Sequence, residues 1–399
     1  MLYEHWINNT ANALSALQGH RNAFVTELPK IALQYPNMVL QSLLALSGIH
    51  YGNRNRNNNV IRQLTYTHLG QALQALKYGL TKHVSGAENN ALPLLVTTLI
   101  FCFVETVRGD DKGNLRYHLR AARLLLSKVL KSQELRHEES ILEFLKEYYA
   151  YIAHITDLST DMDTPSSDPS SFTGAEPLTS DKSSGVLLGC AYKLFEMIPR
   201  ISTLAREQHE LTTYASQSTM DQYKLEEKAH LVVQKRLNLQ SHIFAWQPPP
   251  NCDNDFELCG RIYQQALLVY NNPPFPSIFS NSASNLSFAR QSIDNTISLL
   301  NLLPMNAPIS ATLVWPLAFL GTLAEELHQR HAIRSRLEGI WNILGLGNVK
   351  ATIDFLDRYW SDEALTDQKE KGCVGGGLRY YQGHLELLME RYGLDISFV

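Results

Sequence analysis

Apolar side chains recur along this chain at steps of three and four residues, the spacing that lines them up on one stripe of an α-helix. Between Val60 and Leu80 the stripe runs through Ile61, Leu64, Leu69, Ala72, Leu73, Leu76 and Leu80, which predicts one amphipathic helix. The same step connects Leu115, Leu119, Ala122, Leu126 and Val129, then Leu194, Ile198, Ile201 and Ala205, and later Ile262, Ala266 and Val269. No stretch alternates apolar and polar residues as a half-buried strand does. The pattern predicts an all-α fold of packed antiparallel helices, either two-lobed or an irregular stacked array of helix pairs. No repeat of fixed period argues for a regular solenoid.

Breakers divide the helices. Asn53 to Asn59 is a polar turn, and Thr160 to Gly185 is rich in Ser, Pro, Asp and Gly, too poor in apolar surface to order itself. This predicts an N-terminal helical half over 1–158, a long disordered and mobile loop over 159–185, and a C-terminal helical half of the same domain over 186–399. Pro248 to Pro250, and Pro273, Pro274 and Pro276 within Asn271 to Asn285, interrupt the second half, because each proline removes a backbone donor and clashes with the preceding turn. The apolar run Ala91 to Val104 falls short of the roughly 20 residues that span a bilayer and reads as a buried helix. Asn295 to Ala324 is longer, but Pro304 and Pro308 break it. No membrane span is expected.

Composition narrows the class. With 399 residues, 44% hydrophobic and 19% charged, the chain has ample material for a core. Its net charge of −4 speaks against the basic footprint of a nucleic-acid binder. The five cysteines are scattered, without a close pair, which fits neither a disulfide framework nor a zinc site. No secretory signal opens the chain, so the expected compartment is the nucleus or cytoplasm.

Three stretches carry a resemblance. Phe24 to Gly52 has a short helix, a proline, then an apolar helix ending in Ala45, Leu46, Ser47 and His50. Asn114 to Leu126 has a central His-Leu followed by alanine and a leucine cluster, and Leu313 to Trp360 contains Trp315, Pro316, Gly321, Arg330, Gly345, Gly347 and Asn348. In this order they resemble the second family of fungal-specific transcription-factor regulatory domains, and with Leu187 to Glu207 the likeness covers nearly all of the chain. These are packing patterns without a catalytic signature. In that family the region normally follows a zinc binuclear cluster, which needs six closely spaced cysteines; none such are present here. The resemblance therefore implies a transcriptional regulator or co-regulator of a metabolic or biosynthetic pathway, without DNA readout of its own. Its expected partners are a transcriptional protein or a sensed hydrophobic small molecule, with self-association into a homodimer as a further option. The alternative is a derived binding protein, or a cofactor-free cyclase or isomerase acting on a hydrophobic metabolite of secondary metabolism.

Four residues are candidates for lining a ligand pocket: His118, Tyr149, His154 and Trp315. Each has a plainer reading as core. His118 and His154 fit as structural histidines, the tyrosines around His154 as ordinary packing, and Trp315 before Pro316 as the apolar start of a helix. Glu325 and His328 form a Glu-x-x-His pair, but a metal centre needs a second half-site. Glu134 to His137 has the spacing and the look of a solvated helix end, so no metal is expected. The run Gly372 to Gly377 lacks a phosphate-loop context and reads as a flexible connection carrying a thiol, Cys373. No nucleophile motif is present, and no cofactor is expected.

Overall fold

The computed structural model describes residues 1–55, 58–87, 90–131, 139–158, 185–217, 222–272, 282–369 and 384–399. Among them every regular element is a helix, and extended backbone pairs only in isolated bridges, Lys112 with Asp395 and Gly185 with Gly189. After short turns in residues 2–40 come α1 (Gln41–Arg54), α2 (Asn59–Val84), α3 (Leu92–Arg108), α4 (Asn114–Lys131) and α5 (Glu139–Asp157). Beyond residue 185 follow α6 (Ile198–Gln217), α7 (Gln222–Ala245), α8 (Asn254–Asn271), α9 (Ser282–Leu302), α10 (Val314–Leu323), α11 (Leu327–Leu344), α12 (Gly347–Lys369) and α13 (His384–Arg391). Consecutive helices pack as pairs: α1 on α2, α3 on α4, α6 on α7, α8 on α9 and α11 on α12. The buried apolar residues from Trp6 to Val399 form one connected cluster, so the pairs share a core.

Of the prolines expected to interrupt the second half, Pro273, Pro274 and Pro276 lie outside the described residues; the others act as expected. α7 ends at Ala245 ahead of Pro248, and α9 ends at Leu302 ahead of Pro304; a 3₁₀ turn from Pro308 to Leu313 then leads into α10. α3 is buried on all sides from Leu92 to Val107 and serves as the central post. No helix among the described residues is long and apolar enough to cross a membrane. The Ser/Pro/Asp-rich loop lies outside the described residues except at Gly185, whose N–H donates to Gly189 O at 2.7 Å.

One stripe differs from its sequence pattern. On α2, Ile61, Ala72 and Leu76 are buried, but Leu64 and Leu73 are exposed. The inward line of α2 runs instead through Thr65 and Gly79, where the backbone comes close to its neighbours: a Cβ on Gly79 would strike Leu94 of α3, and one on Gly48 of α1 would strike Thr65. Small residues thus set the approach and turn two leucines outward.

The helix pairs are tied together where helices end. The last carbonyls of a helix have no intrahelical partner and need one from elsewhere. The last turn of α1 supplies donors to two other helices. His50 Nε2 donates to Leu344 O at 2.7 Å and Arg54 Nη1 to Ile343 O at 3.1 Å; Asn53 Nδ2 donates to Val107 O at 2.7 Å and to Gly345 O at 2.9 Å. Gly345 adopts φ +68° and ends α11 in a left-handed cap. Two residues later the backbone of Gly347 lies so close to that of Val107–Gly109 that a Cβ there would collide with it. Asp110 caps α4 by accepting from Asn114 N at 2.6 Å, and Arg116 pairs with Asp395 at 2.6 Å.

Because Leu344 O can only accept, the proton of His50 sits on Nε2. Nδ1 is then the acceptor facing Thr10 Oγ1 at 3.0 Å and His5 Nε2 at 3.2 Å. Burial pushes this imidazole down to about 4; the Leu344 carbonyl works against the fall, and His5 and Arg54 add to it. The unfolded chain therefore binds the proton first as pH drops. Stability from this site is complete above pH 6.5 and is lost on the way down to pH 4, by about 3 kcal/mol. Urea unfolding at pH 7.5, 5.5 and 4.5 should show this loss, and His50→Gln should flatten it. A wild-type protein equally stable at pH 7.5 and 4.5 would contradict the assignment.

Candidate functional site: aromatic core and basic helices

Trp315 stands in the first turn of α10, one residue ahead of Pro316, where a missing backbone donor costs nothing. It is fully buried. Its ring lies parallel to Phe319 at 5.7 Å and stacks on Tyr263 at 6.1 Å, with Tyr270 edge-on at 5.8 Å. Tyr263 continues to Phe195 at 4.9 Å, and Phe195 to Tyr151 of α5 at 6.0 Å. Two hydroxyls anchor this array: Tyr263 OH donates to Thr312 O at 2.5 Å and Tyr270 OH to Leu158 O at 3.4 Å.

The other predicted residues do not join it in one pocket. Tyr149 and His154 are buried on α5, five residues apart, so they leave the helix in directions that diverge by about 140°. Burial raises the Tyr149 hydroxyl, which feels Arg123, Asp157 and Cys102 around it. His118, half-buried on α4, stacks on Phe101 of α3 at 5.4 Å and 19°, and burial lowers its pKa. What holds it is this ring contact.

Glu325, in the link before α11, binds Arg290 of α9 at 2.5 Å, and His328 lies 3.9 Å from Asp294. Glu326 is the capping residue of α11 and Arg330 Nε donates to Ala324 O at 2.7 Å. No cluster of three or more metal-ligating side chains occurs among the described residues. Glu134 to His137, Gly372 to Gly377 and Cys373 lie outside them.

Glu147, within the aromatic run of α5, escapes a reading by periodicity. Its buried carboxylate accepts from Leu187 N at 2.7 Å, Leu188 N at 3.0 Å and Tyr192 OH at 3.2 Å. Burial raises its pKa against the pull of those donors. It pins the returning chain onto α5.

Two grooves lie among the described residues. One, of about 730 Å³, lies along α2 and is lined by Asn37, Gln41, Gln71, Gln74, Ala75, Lys77, Tyr78 and Thr81. Gln41 is held there by its side-chain contact with His68 at 2.6 Å. The second, of about 300 Å³, runs between α8 and α9 past Arg261, Gln264, Gln265, Asn295, Ser298, Leu299 and Leu302. Both mix carboxamides with apolar surface, and none of His118, Tyr149, His154 or Trp315 lines either.

Charge, by contrast, is strongly sorted. α2 and α4 carry Arg62, Lys77, Lys82, Arg116, Arg120, Arg123, Lys128 and Lys131 and not one Asp or Glu. Residues 1–131 hold fourteen Lys and Arg against six Asp and Glu, a local charge of +8 inside a chain of −4. The total hides this patch; counting by segment would have revealed it. The two basic helices meet where Lys128 Nζ donates to His83 Nε2 at 2.9 Å.

A family model described as fungal specific transcription factor domain matches residues 1–399. The chain belongs to that family. Its role is accordingly transcription regulation. No curated protein and no solved structure matches the chain. In this fungal-specific transcription factor domain the three stretches that carry the resemblance prove to be places where helices meet. Ser47 and His50 tie α1 to Leu2 O and Leu344 O. Gly321 O receives Trp360 Nε1 at 2.9 Å, and Asn348 Nδ2 donates to Val399 O.

If the Trp315 array is core, Trp315→Ala should cost roughly 3 to 5 kcal/mol and Trp315→Phe much less. Thermal unfolding measures this. A Trp315→Ala protein with unchanged melting would make the residue a pocket wall instead.

Proposed function

We propose that this member of the fungal-specific transcription factor domain family acts in the nucleus, on genes of a metabolic or biosynthetic pathway, through contacts with a partner protein and without base readout by this chain. The observation that carries the reading is the sorted charge: a solvent-facing basic surface interleaved with exposed tyrosine and leucine, on a chain whose total is −4. Phosphate-tracking surfaces gain nothing from exposed leucines, whereas protein interfaces combine apolar anchors with a charged rim.

Two measurements test this. Fused to an unrelated DNA-binding domain, the chain should alter expression of a reporter carrying that domain's site. Purified, it should bind duplex DNA only weakly and lose that binding as salt rises from 50 to 200 mM. A silent fusion, or sequence-specific nanomolar DNA binding by the chain alone, would overturn the reading.

A further inference from the structure

We infer that the exposed face of α4 is a docking surface for an acidic amphipathic helix of the partner protein; the inference rests on the protein-contact reading above.

Tyr117, Arg120, Leu124, Lys128 and Lys131 follow one another at three- and four-residue steps and are all exposed, so they share one face within about 100° of arc. The opposite face, with Leu115, Ala122, Leu125, Leu126 and Val129, is buried against the core. From Tyr117 to Lys131 the face runs about 21 Å, close to four helical turns. Its two large apolar side chains, Tyr117 at 69% and Leu124 at 65% exposure, stand two turns apart. Cations lie between and beyond them. α4 has no carboxylate of its own, and among the described residues no carboxylate lies in ion-pair range of Arg120, Lys128 or Lys131; Arg116, at the start of the helix, is engaged by Asp395.

Charge complementarity selects the occupant. Three exposed cations that no carboxylate among the described residues neutralises call for an anionic surface, Lys128 being held only by the uncharged acceptor His83 Nε2, and two apolar side chains in register call for apolar residues two turns apart. A helix with Leu, Phe or Met at that spacing, flanked by Asp and Glu, meets both demands at once. A nucleic acid meets only the first. The exposed tyrosine and leucine would then sit against phosphate or water, and the face would discriminate nothing. In the complex the apolar pairs give affinity and fix register, while the cations speed encounter and reject basic helices.

The probe is a fluorescein-labelled 18-residue peptide with two leucines seven residues apart, glutamates around them and no Lys or Arg. Fluorescence anisotropy would follow its binding to the full chain. Expected are saturable binding and at least tenfold weaker affinity for Leu124→Ser and for the double variant Arg120→Glu with Lys131→Glu. All three substituted side chains are exposed, and a circular dichroism melt matching the wild type confirms that folding is untouched. A peptide with serine in place of both leucines should also bind at least tenfold more weakly. The idea is overturned by a wild type that does not bind the peptide, by variants that bind as the wild type does, by equal binding of the serine peptide, or by an 18-base-pair duplex that competes more strongly than the peptide. A concentration-dependent dimer mass in light scattering that the double variant abolishes would replace the partner with a second copy and likewise overturn it. In the tethered reporter, variants as active as the wild type would sink this surface and leave the protein-contact reading standing. A silent wild type would instead remove that reading, and the docking surface with it.

Discussion

The assembly depends on how the ends of its helices are satisfied. A buried carbonyl without a donor costs on the order of 1 to 3 kcal/mol, and a chain made of helices multiplies such ends. Here one turn of one helix, carrying His50, Asn53 and Arg54, serves the ends of α3 and α11 together. The donors differ because the geometry does: a buried neutral imidazole for a part-buried carbonyl, an amide forked between two, a guanidinium at the exposed side. Gly345 and Gly347 matter for the same reason, since the first lets α11 stop sharply and the second lets α12 begin against the backbone of α3.

Periodicity made the fold class legible, and prolines marked the helix ends. Leu115 to Val129 and Ile262 to Val269 fell on buried faces as their spacing implied. Leu64 and Leu73 did not, because small residues can define a contact face more strongly than large ones when two backbones approach closely. Such approach is invisible to a pattern of apolar positions. The role of Trp315 as the opening of a helix could be read from Pro316, and its i,i+4 neighbour Phe319 from helical spacing; its place beside Tyr263 and Tyr270 could not, since those contacts span some fifty residues of chain.

The site was less legible than the fold. Histidines and tyrosines attract notice because of their chemistry, yet Tyr149 and His154 lie in the core and His118 against Phe101, away from both grooves. The surface with the strongest physical signature is built from lysines, arginines, a tyrosine and a leucine, each unremarkable alone. Its signal lies in what is missing over two helices, and a total charge of −4 averages that away. Family membership gives the role in transcription regulation, and charge segregation, on independent grounds, marks the surface on which the proposed protein contact is placed.

The contact between His50 and Leu344 spans 294 positions of chain. During synthesis the donor emerges long before its acceptor exists, whereas the helix pairs can form from neighbours already made. Closing so long a loop adds only slowly to its entropic cost, but it orders events in time. Helix hairpins can therefore close before this joint can, and the donors His50 and Arg54 on the last turn of α1 cannot meet their carbonyls until α11 has been made.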